Sequence, residues 1–304
     1  MTHAPAEPAL LQVTGLRKDF PVRQGWQQSL LGRNAAPIRA VNDVSFDIAR
    51  GETLGVVGES GCGKTTMGRS ILRLIDPTAG AVVFDGINVA TLRGAALRSM
   101  RRKMQVVFQD PFSSLNPRMT VGAAVREGML IHHLAEGRAA DHRVKTLFEE
   151  VGLNPDYASR YPHEFSGGQR QRIGVARALS VEPDMIVCDE PVSALDVSVQ
   201  AQVINLLMDL QQRLELTYLF IAHDLRLVEH VCGRVAVMYA GRIVEMGDTA
   251  RLFAAPQHPY TKALLSAIPL PDPDAPRQRI VLDPASFERD TPLREIVAGH
   301  FAAV

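Results

Sequence analysis

The sequence is poor in cysteine: three in 304 residues, Cys62, Cys188 and Cys232, far apart and in no CxxC spacing. That pattern implies neither a disulfide framework nor a zinc site and suits a reducing cytosol. Net charge is missing too. Lys plus Arg and Asp plus Glu both number 33, so no global field draws the chain to nucleic acid or acidic lipid. No stretch approaches the roughly 18 consecutive apolar residues that a membrane-spanning helix needs. The N-terminal MTHAPAEPAL lacks a basic segment followed by an apolar core, so no export signal is expected. Work at a membrane would require another subunit to hold the chain there. What remains, 46% hydrophobic and 22% charged residues, is an ordinary globular composition, long enough for one large or two small domains.

Strand and helix signals alternate along the chain. LLQVTGLRKDF (10–20) reads as a short strand region, and VSFDI (44–48) alternates apolar and polar residues as a half-buried strand does. Between them PVRQGWQQSLLGRNAAP, broken by Gly and Pro, reads as a loop or hairpin insertion with Trp26 as a local packing anchor. LGVV from residue 54 runs into a glycine loop, and TTMGRSILRLI (65–75) follows at helical spacing. VVF (82–84) and QVVF (105–108) are further β-type runs, while residues 120–180 hold mostly helix formers. MIVC (185–188), YLFIA (218–222) and RVAVMY (234–239) are continuous apolar runs flanked by helical stretches. Buried strands alternating with helices imply an α/β fold with a largely parallel sheet. The Pro-rich, charged tail from 271 onward reads as an irregular C-terminal extension.

Strand, glycine loop and helix together carry a chemical signal. GESGCGKT (58–65) fits G-x-x-x-x-G-K-[ST] at Gly58, Gly63, Lys64 and Thr65. Gly58, Glu59, Ser60, Gly61, Cys62 and Gly63 are expected to wrap nucleotide phosphates with backbone N–H groups, joined by Thr66. Lys64 would reach the β/γ oxygens and the Thr65 hydroxyl would ligate Mg²⁺. MIVCDEP (185–191) ends a buried strand in two carboxylates. Asp189, just off that strand end, suits Mg²⁺; Glu190 suits a general base acting on an attacking water. Gln109, after QVVF, can approach the same metal and water. His223, after YLFIA, can contact the γ-phosphate through a neutral imidazole. Each alone is as compatible with a cap; at the ends of separate strands they make one expected site.

A second phosphate grip follows in EFSGGQRQR (164–172), where a serine and two glycines open a helix. The ordered set of P-loop, Gln109, SGGQ (166–169), IVCDE, SALD (193–196) and His223 resembles the ATP-binding cassette ATPases over about residues 10–270. That resemblance implies a RecA-like parallel core of the P-loop NTPase type, an antiparallel β subdomain and an inserted α-helical signature subdomain at about 112–180. It implies a flexible leader at 1–9 and an extension at 271–304. It also implies head-to-tail dimers in which Ser166, Gly167, Gly168 and Gln169 meet the ATP held by the other chain's P-loop. Asp196 would lie at that interface, and Phe20 would stack on adenine.

FQDPFSSLNPRMTV (108–121), RYPHEFSGGQRQRIGVARAL (160–179), DEPVSALDVSVQAQV (189–203) and HPYTKALLSAIP (258–269) narrow the resemblance. They are similar to the ATP-binding subunits of oligopeptide, dipeptide and nickel importers, most like the F-type subunit. The resemblance implies a heterodimer with a D-type ATPase, two permease subunits, an extracytoplasmic solute-binding protein, and residence on the cytoplasmic face of the inner membrane. It also implies that the Gln109 region and the following helices receive a short helix of the membrane subunit. His163 and Glu164 either relay that contact or are ordinary loop residues. His132 and His133 read as a solvated helix surface, not a metal site. The tail lacks the cysteines that many members carry, so no iron–sulfur cluster is expected. The resemblance implies dipeptides or oligopeptides as cargo, with nickel, opines or another small solute as the alternative. Among non-transport ATPases of the superfamily, a chromosome-organising member would need a long coiled-coil insertion, and only about a hundred residues without heptads separate the two grips. A translation factor would usually carry two cassettes, and a non-hydrolysing regulator would be expected to lose Glu190 or His223.

Overall fold

A computed structural model describes residues 9–21, 36–110, 114–268, 280–283, 287–288 and 291–304. The insertion containing Trp26 lies outside these. The chain begins with β1 (Leu11–Phe20), β2 (Ile38–Ile48) and β3 (Thr53–Val57) and enters α1 (Lys64–Ile71) through the glycine loop. β4 (Ala79–Phe84) and β5 (Ile87–Asn88) precede α2 (Gly94–Lys103) and β6 (Met104–Val107). Helices α3 (Val121–Ile131), α4 (Gly137–Glu150) and α5 (Gly167–Leu179) lead to β7 (Met185–Asp189), α6 (Val197–Leu214) and β8 (Thr217–Ile221). Then come α7 (Leu225–Val231), β9 (Arg234–Tyr239), β10 (Arg242–Asp248), α8 (Thr249–Ala254), α9 (Pro259–Ser266), β11 (Arg294–Val297) and β12 (His300–Ala302).

These elements divide into two compact units. One comprises Met1–Ile48, Val56–Thr91 and His223–Val304; the other comprises Ala49–Gly55 and Leu92–Ala222. In the second unit β6, β7 and β8 are parallel neighbours, with Val107 opposite Cys188 and Asp189 opposite Ile221. Every residue of β7 and β8 is buried, which is why both read as unbroken apolar runs instead of alternating ones. α3, α4 and α5 pack on one another beside them, burying Val125, Leu147, Phe148, Ile173 and Val175. This is the stretch, residues 120–180, that the sequence reads as mostly helix-forming.

The first unit is antiparallel wherever its pairing is registered. β2, β1, β4 and β5 form one sheet in that order. β9 pairs with β10, and β10 with β12. Two expectations need correction here. The residues after 271 are not wholly irregular: Glu295 faces Phe301 across a β11–β12 hairpin, and β12 then pairs with β10. The cue was REIV-AG-HFA, two short β-type runs around a turn at Gly299, whose φ of 74° suits glycine. The helix after the glycine loop also stops at Ile71, four residues short of the sequence reading. Arg73 leaves helical geometry at φ 52°, and its guanidinium is committed to the Val89 carbonyl and the Asp76 carboxylate.

Candidate active site

The glycine loop sits in the first unit. It delivers the chain to α1 at Gly63, whose φ is 112° and which provides no side-chain cap. A Cβ at Gly63 would drive into the Ala40 carbonyl oxygen, so only glycine lets the loop close this tightly. The first turn of α1 holds no acidic side chain, leaving its N–H groups and positive dipole end available to an anion. Lys64 is 4% exposed, and its ammonium donates to the carbonyls of Gly58 at 2.7 Å and Glu59 at 3.0 Å. The lysine charge is thus held inside the loop. Burial raises the pKa of the neighbouring Cys62 thiol, which keeps that side chain neutral beside the lysine. Glu59, Ser60 and Gly61 are exposed, while Thr65 and Thr66 are half-buried in the first turn. Glycine backbone, a cation and a hydroxyl fit a phosphate chain.

Phe20 closes β1 and is 36% exposed, with the Lys18 ammonium 5.1 Å from its ring centre. An aromatic left this open at a strand end is not core. His223 is exposed and precedes Asp224, which caps the start of α7 by accepting the Arg226 N–H at 2.9 Å.

The second unit carries the carboxylates and the signature. Asp189 is the last residue of β7, not a residue beyond it, and is 3% exposed. The chain then turns sharply: Glu190 adopts φ 49° while its N–H donates to the Ile221 carbonyl at 2.9 Å. A non-glycine residue held in left-handed conformation costs of order 1–3 kcal/mol and persists only where neighbours fix it. The Glu190 carboxylate accepts from Gln109 Nε2 at 3.0 Å, so the structure joins two of the residues that the sequence set at separate strand ends.

Ser166 caps α5. Its Oγ accepts the Gln169 N–H at 3.3 Å, and the Gln169 side-chain oxygen accepts the Ser166 N–H at 3.0 Å. This reciprocal capping box fixes the SGGQ turn and commits the Gln169 oxygen within it. Gly168 packs so closely on α6 that a Cβ would meet Val199 Cγ1. Gly168→Ala is expected to cost about 1–3 kcal/mol through overpacking, read as a lowered midpoint in thermal unfolding. An unchanged midpoint would show that α6 yields freely. Asp196 lies at the start of α6, exposed and without a side-chain capping bond.

Sequence reasoning missed two residues of α5. Gln171, 2% exposed, donates to the Phe108 carbonyl at 3.3 Å, and Arg177 donates to the Ser114 carbonyl. The signature helix thereby holds the chain on both sides of Gln109. Burial lowers the Arg177 pKa, a cost that this bond offsets. Glu164 acts locally, its carboxylate accepting the Tyr161 N–H at 2.6 Å, while His163 stacks on the Tyr161 ring. His133 is solvated, with 84% of its side chain exposed, but His132 is half-buried, and both lie just past the end of α3 at Ile131, not on a helix surface.

Comparison with known proteins gives the family. The ABC transporter family matches residues 41–193, and the oligopeptide/dipeptide transporter C-terminal region matches residues 244–290. The oligopeptide transport ATP-binding protein OppF of Bacillus subtilis is 52% identical over 300 residues, covering 96% of this chain and 95% of that protein. The glutathione import ATP-binding protein GsiA of Pectobacterium atrosepticum is 50% identical over 279 residues, covering 92% of this chain and 44% of its own length. The dimeric ATP-binding cassette MJ0796 bound to ADP and phosphate superposes with a TM-score of 0.69 at 27% identity, covering 79% of this chain and 98% of that one. The chain cbiO1 of Clostridium perfringens, part of the ABC transporter complex cbiONQ, gives 0.68 at 25%, covering 82% and 92%. With its glycine loop, signature helix and strand-end carboxylates, and with relatives matched along nearly its whole length, this chain belongs to the ABC transporter ATPases, as a nucleotide-binding subunit that also carries the oligopeptide/dipeptide transporter C-terminal region.

Proposed function

We propose that the chain is one of two ATPase subunits driving uptake of peptides through a pair of membrane permeases. Its partner is a related D-type ATPase, and an extracytoplasmic binding protein delivers the cargo. It works peripherally on the cytoplasmic face of the inner membrane. The observation that carries this reading is the near full-length likeness to OppF together with the oligopeptide/dipeptide C-terminal region. Among the described residues no helix is long and apolar enough to cross a membrane, which fits a subunit held there by others. The name of GsiA makes glutathione-like peptides a second class of cargo.

Each residue then has a role. The loop from Gly58 to Thr66 holds the phosphates, with Lys64 supplying the charge, and Phe20 lies against adenine. Thr65, Asp189 and Gln109 offer the hard oxygen ligands that suit Mg²⁺. An ion held by them would supply positive charge against the phosphate oxygens. Glu190, oriented by Gln109, takes a proton from the attacking water, and His223 contacts the γ-phosphate. Ser166, Gly167, Gly168 and Gln169 grip the nucleotide of the partner chain, with Asp196 at the same junction. Because the γ-phosphate exists only before hydrolysis, ATP draws the two chains together and its cleavage releases them, the differential affinity a switch requires.

Deleting the gene in its host and supplying labelled di- and oligopeptides tests the cargo. Uptake should fall to background and return with the wild-type gene, but not with Lys64→Ala. Undiminished peptide uptake in the deletion strain would refute the assignment.

A further inference from the structure

We propose that Tyr260, in the C-terminal region, is a positioning residue that sets the conformation of the P-loop. The proposal rests on the reading that this loop holds the phosphates of ATP. The Glu59 N–H donates to the Tyr260 hydroxyl oxygen at 2.9 Å, linking residues 201 apart in sequence. Lys64 grips the carbonyls of the same stretch, those of Gly58 and Glu59. The tyrosine therefore fixes an amide where the lysine fixes the carbonyls. Lys64 must divide its three donors between those carbonyls and a phosphate. The Tyr260 hydroxyl ligates no phosphate in this reading, so its hold on Glu59 persists in both states.

The surroundings of Tyr260 are built to keep that hydroxyl in place. The residue is 1% exposed, and its ring lies against Tyr239 with centres 4.5 Å apart. Burial pushes its pKa well above the ordinary phenol range, so it stays neutral. Its helix, α9, is anchored at the first turn: His258 caps it, Nδ1 accepting the Tyr260 N–H at 3.1 Å. Burial lowers the His258 pKa, which preserves the neutral imidazole whose lone pair makes that cap. Pro259 occupies the first helical turn, where its missing N–H costs nothing.

The anchor continues into the C-terminal hairpin. Glu245 of β10 is fully buried at 0% exposure and accepts the N–H groups of Gln257 at 2.7 Å and His258 at 2.9 Å. Its Oε1 also lies 2.8 Å from His300 Nε2 in β12. Phe287 meets both His258 and Tyr239 edge-on, with ring centres 4.6 and 5.6 Å away. A helix needing only apolar contact would place phenylalanine at 260. A buried hydroxyl is costly unless paired, and its partner here is the P-loop. The His-Pro-Tyr run at 258–260 thus reads as cap, helix start and reach.

Tyr260→Phe in the full-length chain tests the proposal, since it keeps the ring and removes only the hydroxyl that accepts the Glu59 N–H. Without the bond the free loop leaves the ATP-holding conformation for others that lack it, so the competent fraction falls and the Kd and KM for MgATP should rise, by roughly 2- to 12-fold for one hydrogen bond of ordinary net strength. kcat should stay within about twofold, because the loss is one of uniform binding. Hydrogen exchange provides the second measurement: the Glu59 amide should be protected in nucleotide-free wild type and exchange faster in the variant. A purely structural role would lower the melting midpoint and leave KM unchanged, and that result overturns the proposal, as does an unprotected Glu59 amide in wild type. Should wild type itself fail to bind ATP, or Lys64→Ala bind it normally, the nucleotide reading fails first; a normal wild type with an unaffected Tyr260→Phe defeats the positioning role alone.

Discussion

Glu190→Gln should lower the ATPase kcat by about 10²- to 10⁴-fold, the contribution typical of a general base, while ATP binding survives. The substitution is close to isosteric, and the Gln109 Nε2 that donates to the Glu190 carboxylate at 3.0 Å can donate equally to an amide oxygen. The backbone that aims residue 190 is held independently by the Ile221 carbonyl and by the turn that Ser193 closes onto the Glu190 carbonyl. Geometry is retained and proton acceptance is lost. With hydrolysis blocked, the ATP-bound state accumulates, so the variant mixed with its partner ATPase and MgATP should persist as a dimer in sedimentation. Turnover at the wild-type rate would remove Glu190 from the general-base role.

Lys64→Ala should fail at the earlier step. The lysine ammonium is buried and held inside the loop by two carbonyls, so a phosphate arriving there finds a positioned charge. Hydrogen bonds to charged groups are worth about 1.5–3 kcal/mol, and their loss should weaken ATP binding roughly 10- to 150-fold. Isothermal titration would show it directly. The pair of variants separates the two steps: one binds without hydrolysing, the other loses affinity before hydrolysis is reached. A Lys64→Ala chain with unchanged affinity would place the phosphates elsewhere.

The parts legible in the sequence were those written contiguously. The P-loop, SGGQ and the strand-end carboxylates each depend on backbone geometry within a few residues, and glycine, a capping serine or a buried apolar run betrays that geometry. The β7 and β8 strands could be read because parallel pairing buries both faces. What escaped was contact between distant segments, above all where a side chain meets a backbone group. Gln171 and Arg177 bind carbonyls, and Tyr260 binds an amide; such partners leave no residue-type signature. The hairpin at 294–302 was missed for a related reason. Its short strands are stabilised by pairing with β10 and by the Glu245–His300 contact, neither of which shows in local composition. The end of α1 was misplaced because Leu72, Leu74 and Ile75 continue an apolar pattern past the helix end at Ile71, although the backbone turns away at Arg73. Gln169 shows the opposite case: its motif pointed outward to a nucleotide, while its side-chain oxygen is used inward, to cap Ser166.

In the proposed mechanism each ATP is enclosed by the P-loop of one chain and the SGGQ turn of another. Specific ATPase activity followed through serial dilution of the purified chain, with and without its partner ATPase, tests this most directly. Activity per chain should fall toward zero as monomers separate and return when the partner is added in excess. A monomer that hydrolyses ATP at the full rate, independent of dilution and partner, would contradict it.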